Sequence, residues 1–297
     1  MRRRPFCQRF AFAATIASLS LGASAVPASA QVGIGQVAPA PLLLCDAGHD
    51  LLQPQVSSGN SYVAPANGTI TSWSTHAAPG ESDSQRLTMK VFRQVSANTY
   101  AAVGHDGPRE LRSGALNRFP AAVPVQTGDV LGMHVVAEGD FGTGCAFDAG
   151  AEAFRYLDLT GDLPDGAAGG FSPGIPGFRV NIAADVGPTN AFLLERLKAR
   201  KKKGIAILTV IVPRPGEVAL RGPGIKPISG AGAKAARFTP GGKVKLKIKP
   251  HKKGKKAKRL ERRLRKKGKA KLKVRVTYTP SGDASNTLAR KVTLVRK

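Results

Sequence analysis

Two segments near the C-terminus alternate strictly between basic and apolar residues, and this alternation constrains the fold more than any other feature. Residues 243–249 read KVKLKIK, and residues 269–278 read KAKLKVRVTY. Successive side chains of a β-strand point to opposite faces, so each segment would place its cations on one face and its apolar side chains on the other. The alternation therefore predicts two amphipathic β-strands.

Charge divides the 297 residues into two unequal parts. Residues 31–188 contain 15 acidic and 8 basic residues, whereas residues 189–297 contain 4 acidic and 34 basic residues. Gly187-Pro188 lies at this step, and such a change of composition is typical of a domain boundary. We therefore expect one domain at 31–187 and a strongly basic one at 188–297, each long enough to bury its own core.

The first 30 residues have the features of a secretory signal peptide. Residues 1–9 carry four arginines and no acid, residues 10–26 are small and apolar, and Ala28-Ser29-Ala30 follows. This order predicts cleavage before Gln31, by either the general or the twin-arginine route. The apolar segment 205–212 has eight residues, whereas a membrane-spanning helix needs about 20, so no transmembrane segment is expected after cleavage. A secreted or cell-surface location follows.

Two cysteines, Cys45 and Cys145, lie beyond the signal. In an oxidising compartment an even pair is most simply a disulfide. The sequence contains no C-x-x-C motif, so the predicted bond has a structural role rather than a redox one.

Residues 31–187 contain short β-type segments separated by turn residues, a pattern typical of an antiparallel sandwich. The predicted strands are 68–73, 86–91, 99–103, 122–126 and 130–136. The predicted turns are 79–80, 105–108 and 127–129, and 158–178 is expected to be a loop. Residues 119–132 resemble the strand-turn-strand edge of jelly-roll domains.

Residues 188–297 contain about seven strand segments, the number found in Ig-type sandwiches. Besides the alternating pair, the predicted strands are 192–197, 204–212, 217–220 and 290–297. Leu260 and Leu264 lie four apart in the basic segment 255–267, which predicts a helix that packs both leucines on the sandwich edge. The alternative is a cationic surface helix for an anionic polymer or a membrane. Tyr278 suits a tyrosine corner, with its hydroxyl bonded back to a loop.

The sequence GIAILTVIVPRPGEVALRG at 204–222, the lysine-alternating strand and VTYTP at 276–280 resemble Ig-like domains near the C-termini of secreted bacterial proteins. The resemblance covers 192–297. It implies surface exposure and a spacer or binding role, and it carries over no catalytic residue. The predicted fold class is all-β, with two antiparallel β-sandwich domains, jelly-roll-like followed by Ig-like.

The number of cations in the basic domain exceeds what solubility requires and predicts an anionic partner. Cell-envelope polymer or polysaccharide is favoured over nucleic acid, because export removes the usual nucleic-acid partners and this part has few aromatic residues for base stacking. The predicted anion-binding residues are Lys243, Lys245, Lys247, Lys249, Lys269, Lys271, Lys273 and Arg275.

No motif in the sequence predicts a catalytic residue, a metal site or a cofactor. His49-Asp50 and His105-Asp106 lie among turn residues and are expected to be solvated. Asp158, Asp162 and Asp165 are close in sequence, but their spacing is not that of an EF-hand, so no calcium site is predicted.

The predicted function is therefore that of a secreted, non-enzymatic envelope protein. Its basic domain would dock on anionic polymer, and its acidic domain would act as a binding or adhesion module. The alternative is an extracellular carbohydrate-active enzyme with a basic anchoring domain, which needs two carboxylates roughly 5–10 Å apart across a cleft. Its candidate acids are Asp46, Asp50, Glu81, Asp83, Glu138 and Asp140.

Overall fold

The computed structural model describes residues 31–80, 85–137, 143–200, 204–233, 242–251, 253–281 and 284–296. The predicted signal peptide, residues 1–30, lies outside these ranges. The described residues form an all-β structure with a single helix, and every pairing between the strands is antiparallel. The predicted all-β class is confirmed.

Fourteen strands lie between residues 31 and 187 of the described chain. They are β1 (Val32–Gln36), β2 (Leu42–Cys45), β3 (His49–Leu52), β4 (Gly68–His76), β5 (Gln85–Ser96), β6 (Thr99–Glu110), β7 (Leu116–Val125), β8 (Val130–Ala137), β9 (Thr143–Asp148), β10 (Leu157–Thr160), β11 (Ala168–Gly170), β12 (Ser172–Pro173), β13 (Phe178–Val180) and β14 (Ile182–Gly187). Their sheets have the orders β1-β14-β4-β7, β11-β6-β5-β8-β3-β10-β12 and β13-β9-β2.

The basic part contains seven described strands and the helix. They are β15 (Leu193–Arg200), β16 (Ile205–Val212), β17 (Gly216–Arg221), β18 (Ile228–Ala233), β19 (Gly242–Ile248), α1 (Lys255–Lys267), β20 (Lys269–Pro280) and β21 (Asn286–Val295). Three strands form a sheet of order β15-β16-β19, and four form a sheet of order β18-β17-β20-β21.

The buried apolar side chains of the described residues form two clusters. The first draws on all three sheets of residues 31–187 and includes Trp73, Phe92 and Met133, each at most 1% exposed. The second joins both sheets of the basic part to α1. The clusters divide between Val186 and Phe192. The two-sandwich arrangement and the domain boundary at 187/188 stay predictions.

The alternation in β20 has the consequence expected from strand geometry. Ala270, Leu272, Val274, Val276 and Tyr278 are all buried, whereas the basic residues between them are exposed. The Tyr278 hydroxyl donates a 2.7 Å hydrogen bond to the backbone carbonyl of Arg214, so the predicted link from this tyrosine to a loop is confirmed.

The predicted turn at 127–129 is also confirmed, and it connects two sheets. Gly128 has a φ of +88°, which glycine adopts without strain, and the Asp129 carboxylate accepts the amide of Gln126 at 2.7 Å. Strand β7 before the turn is an edge strand, and an edge tolerates Pro120 and Pro124, which cannot donate to a ladder.

The turn predicted at 105–108 is wrong, because these residues lie inside β6. The ladder with β5 shifts register between Leu87 and Met89, opposite this segment. Gly107 has a φ of +140°, and a Cβ there would lie 2.9 Å from the Thr88 Cα. The glycine therefore permits an irregularity in a continuing strand rather than a reversal of the chain.

The loop predicted at 158–178 is likewise wrong for much of its length. It holds most of β10 together with β11 and β12, which extend the seven-stranded sheet at its two ends. Strands of two to four residues are too short to show side-chain alternation, so periodicity does not indicate them.

Cys45 and Cys145 are joined by a disulfide with a Cα–Cα distance of 5.8 Å, as predicted. The bond lies between β2 and β9, which are neighbouring strands of one sheet. Within the described residues, no helix has the length and apolar character required to cross a membrane.

Candidate functional site

Two groups of charged residues have the geometry of candidate sites. The first, here called the polar cluster, consists of Asp50 on β3, Lys90 on β5, His134 on β8 and Asp162 in the segment that follows β10. Asp50 and His134 are direct cross-strand partners in the seven-stranded sheet. The second group, the basic surface, comprises the exposed lysines and arginines of β19, β20, β21, β17 and α1.

Lys90 is the centre of the polar cluster. Its ammonium donates to Asp50 Oδ2 at 2.8 Å, to Asp162 Oδ1 at 2.5 Å and to the carbonyl of Leu163 at 2.8 Å. The Lys90 side chain is 4% exposed and that of Asp50 is fully buried. A buried charge is tolerated when it is paired and hydrogen-bonded, and all three ammonium donors are used here.

Asp50 connects the Lys90 ammonium to His134 and to the segment that follows β10. Its Oδ1 atom accepts Nδ1 of His134 at 2.9 Å, and its Oδ2 atom accepts the amide of Leu163 at 2.9 Å. His134 Nε2 lies 3.8 Å from Asp162 Oδ2. The carboxylate of Asp50 therefore fixes the orientation of the His134 ring and holds the segment around residue 163 against the sheet.

Two further histidine–aspartate pairs flank the polar cluster. His49 Nδ1 lies 2.9 Å from Asp158, and His105 Nδ1 lies 2.9 Å from Asp165. The hydrogen bond to Asp165 raises the pKa of His105, against the opposing effect of partial desolvation of the ring. Burial is the largest single influence on the pKa of Asp162 and would raise it, but the hydrogen bond and charge of Lys90, together with the charges of His134 and His105, outweigh burial and lower that pKa.

These contacts correct the expectation that His49-Asp50 is solvated. Both residues belong to β3, and Asp50 is 0% exposed. Its carboxylate can be buried because it is bonded to two buried groups, the Lys90 ammonium and the His134 ring. His105 is also in a strand and is exposed, whereas Asp106 accepts hydrogen bonds from Trp73 and Arg109.

The polar cluster offers ligand atoms for a metal, but an ammonium fills the space between them. One ligand atom each from Asp50, His134 and Asp162 lie within 4.8 Å of one another. Lys90 Nζ is bonded to both carboxylates, so a cation there would have to displace it. Asp158 and Asp165 are paired with separate histidines rather than with Asp162. The arrangement is suited to fastening the segment 158–165 to the sheet.

The sequence reasoning did not single out Lys90 or His134. Each lies in a mostly apolar segment of its strand, TMKVF for Lys90 and LGMHVV for His134. A lone ionisable residue in such a segment is buried only when it has a partner. The sequence therefore indicates that Lys90 and His134 each have a buried partner, but it does not indicate which residue that partner is.

The eight predicted anion-binding residues are all exposed, but they belong to two different sheets. Lys243, Lys245 and Lys247 lie on β19, and Lys249 follows it. The other four lie on β20. The alternate residues of both strands pack into the same apolar cluster, so the two rows of cations cover two different outer faces.

On the face of β20, further cations extend the predicted row. Lys273 lies directly opposite Lys291 of β21, and Arg275 lies directly opposite Arg221 of β17. All four are exposed. Like charges directly opposite each other destabilise a sheet, so both pairs lower the stability of the folded state. The fold itself does not require cations at these positions.

Helix α1 buries its apolar residues and exposes its cations. Ala257, Leu260 and Leu264 are buried, which confirms the predicted packing of the leucines. The first turn has no acidic residue and no side-chain cap, although an acid there would complement the helix dipole. Gly268 ends the helix in the left-handed conformation.

A groove of about 330 Å³ lies between α1 and β20. It is lined by Pro223, Lys256, Arg259, Leu260, Arg263, Lys271 and Leu272. Two acids of the basic part are paired elsewhere: Glu261 with Arg265 at 3.1 Å, and Glu195 with Lys243 at 3.9 Å. Cations therefore surround an apolar floor, and no described acidic residue lines it.

The acids required by the carbohydrate-active alternative are only partly described. Asp46 is exposed and Asp50 is bonded within the polar cluster. The remaining candidates lie outside the described residues: Glu81, Asp83, Glu138 and Asp140.

No protein-family model matches the chain, and no curated protein matches it.

Proposed function

We propose that this is a secreted, non-enzymatic protein of the cell envelope whose basic part docks on an anionic polymer. One observation carries the proposal: the outer faces of β19, β20 and α1 present rows of exposed lysine and arginine side chains. Of the four acids in residues 189–297, Glu195 contacts Lys243 and Glu261 contacts Arg265 within the described part of the chain.

The size of the charge supports a partner rather than solubility. Residues 189–297 carry a net charge of +30. A net charge of roughly 2–8 suffices to keep a small domain dispersed, and a larger one destabilises the folded state by self-repulsion. Bound polyanion would relieve that repulsion along the whole surface.

The spacing of the cations supports a polymer rather than a small anion. Alternate residues of a strand lie roughly 6.5–7 Å apart, so the lysines of β19 and β20 repeat at that interval. Because the two rows face different directions, each row would contact a separate stretch or chain of polymer.

The strand order supports the Ig-like assignment of the basic part. Its first, second and fifth described strands form one sheet, and its fourth, third, sixth and seventh form the other. Seven-stranded Ig-type sandwiches place the first, second, fourth and fifth strands in one sheet and the third, sixth and seventh in the other, so the order agrees except for the fourth strand, which here lies beside the third. Residues 31–187 would then act as the binding or adhesion module.

Binding of the mature chain, residues 31–297, to isolated cell envelope tests the proposal. We expect retention at about 0.05 M salt and release by about 0.5 M, since the Debye length falls severalfold over this range. A variant with Lys269, Lys271 and Lys273 changed to Gln should be released at lower salt than wild type. Retention that does not respond to salt, or no retention at all, would overturn the proposal.

A further inference from the structure

We infer that the groove between α1 and β20, called the α1–β20 groove, binds the phosphate groups of a phosphodiester polymer. The inference rests on the proposed function and narrows it to one site and one class of polymer. It is carried by the arrangement of four cations around an apolar floor.

The rim of the α1–β20 groove is formed by two structural elements. Lys256, Arg259 and Arg263 are spaced three and four residues apart, which places them along one side of α1. Lys271 comes from the exposed face of β20. Arg259 and Arg263 are thus about 5–6 Å apart at their Cβ atoms, a distance that permits contact with one phosphate or with two successive ones.

Among the described residues, no acid lines the groove to neutralise the rim cations. The single acid of α1, Glu261, pairs with Arg265, and neither residue lines the groove. The uncapped first turn of α1, with Lys255 and Lys256 in it, adds the positive end of the helix dipole to this region. A bound anion would offset both the uncompensated charge of the rim cations and the positive end of the helix dipole.

The floor of the groove favours phosphodiesters over other anionic polymers. Pro223, Leu260 and Leu272 present carbon atoms, which fit the short carbon linkers between phosphates better than the hydroxyl groups of a sugar ring. The planar guanidinium groups of Arg259 and Arg263 match the paired oxygens of a phosphate.

A lipid surface fits the groove less well than a polymer. Ala257, Leu260 and Leu264 are the apolar residues of α1, and all three are buried against the protein. The helix therefore has no apolar face with which to enter the acyl region of a membrane.

The test compares two variants with the same loss of charge in the intact mature chain. The probe is a synthetic hexamer of glycerol phosphate, titrated calorimetrically at about 0.1 M salt. In the rim variant, Arg259→Gln and Arg263→Gln remove two cations of the groove. In the control, Arg196→Gln and Arg200→Gln remove two exposed cations of β15, which lies in the other sheet and outside the basic surface.

We expect the rim variant to bind the hexamer about tenfold more weakly than wild type, and the control to change the Kd by less than about threefold. Changing both arginines to Lys keeps the charge but removes the planar donors, so we expect an intermediate loss. Thermal unfolding of each variant reports whether the fold is retained.

The outcomes separate this inference from the proposed function. Equal weakening in the rim variant and the control would overturn the α1–β20 groove as the site, while polymer docking would stand. Stronger binding to polygalacturonate than to the hexamer would overturn the phosphodiester class. Stronger binding to phosphatidylglycerol vesicles, whose headgroup is itself a phosphodiester, would overturn a polymer as the ligand. If wild type bound neither the hexamer nor isolated envelope, both proposals would fall.

Discussion

Lys90 illustrates how a single buried ion organises its surroundings. It lies in the buried part of β5 and is satisfied by two carboxylates and a carbonyl. Asp50 is the partner that cannot turn to solvent, because it is fully buried, whereas the side chain of Asp162 is 65% exposed. The pairing with Asp50 therefore contributes more to stability than the pairing with Asp162.

We predict that Asp50→Asn lowers the free energy of unfolding by about 3–5 kcal/mol, because it leaves the ammonium of Lys90 without its buried counter-charge. Asp158→Asn is the matched control: it removes one carboxylate from the partly exposed pair with His49 and should cost less than about 1 kcal/mol. Urea unfolding of both variants measures the difference. Similar losses in the two would contradict the importance assigned to burial.

Glu152 gives a prediction about acid stability. Burial would raise its pKa, but hydrogen bonds from the Ser57 hydroxyl, the Phe154 amide and the Arg179 guanidinium outweigh burial and lower it to about 2, from an ordinary value of 4.5. A carboxyl with a lowered pKa in the folded state stabilises the protein above its unfolded pKa and loses that effect as the pH falls toward the folded pKa.

We therefore predict that Glu152→Gln destabilises the protein at pH 6 and that its difference from wild type shrinks between pH 4.5 and about pH 2. Urea unfolding at a series of pH values measures this. A destabilisation that stays constant across that window would show that the carboxylate charge does not contribute.

At the scale of elements, alternation predicted the faces of strands but not their neighbours. The exposed lysines of β19 and β20 follow directly from KVKLKIK and KAKLKVRVTY. Their assignment to separate sheets, and the meeting of Lys273 with Lys291, depend on the pairing of strands. The residues 105–108 show the opposite error, since turn-forming residues there lie in a strand held by its neighbours.

We predict that Lys291→Glu stabilises the protein by about 0.2–1 kcal/mol at low salt, because it converts a like-charge cross-strand pair into an attractive one. The gain should shrink at 1 M salt, where exposed charges are screened. The same substitution in a Lys273→Gln background is the control, and the gain there should be smaller. An equal gain in both backgrounds would show that the stabilisation does not come from the interaction between positions 273 and 291.

At the scale of the whole molecule, the described core consists of two apolar clusters, one on each side of the charge step. The disulfide joins strands that contribute to the first cluster only. A covalent link constrains the unfolded chain, and it does so more strongly when the loop that it closes is long.

We predict that changing Cys45 and Cys145 to Ser destabilises residues 31–187 by about 4–5 kcal/mol, the chain-entropy value for a loop of 100 residues. If the two clusters unfold independently, calorimetry of residues 31–297 should show two transitions, of which only one shifts in this variant. A shift of both transitions would contradict the predicted division into domains.

By itself, the sequence determined the β class, the faces of the amphipathic strands, the helix with its two buried leucines and the disulfide partners. These features depend on local periodicity or on having only two candidates. Only the tertiary structure decided that Asp50 contacts Lys90 and Leu163, which lie 40 and 113 positions away in the sequence. It alone also decided that the cations of α1 and β20 border one groove. Such contacts arise because burial selects one arrangement of strands among many with the same local pattern.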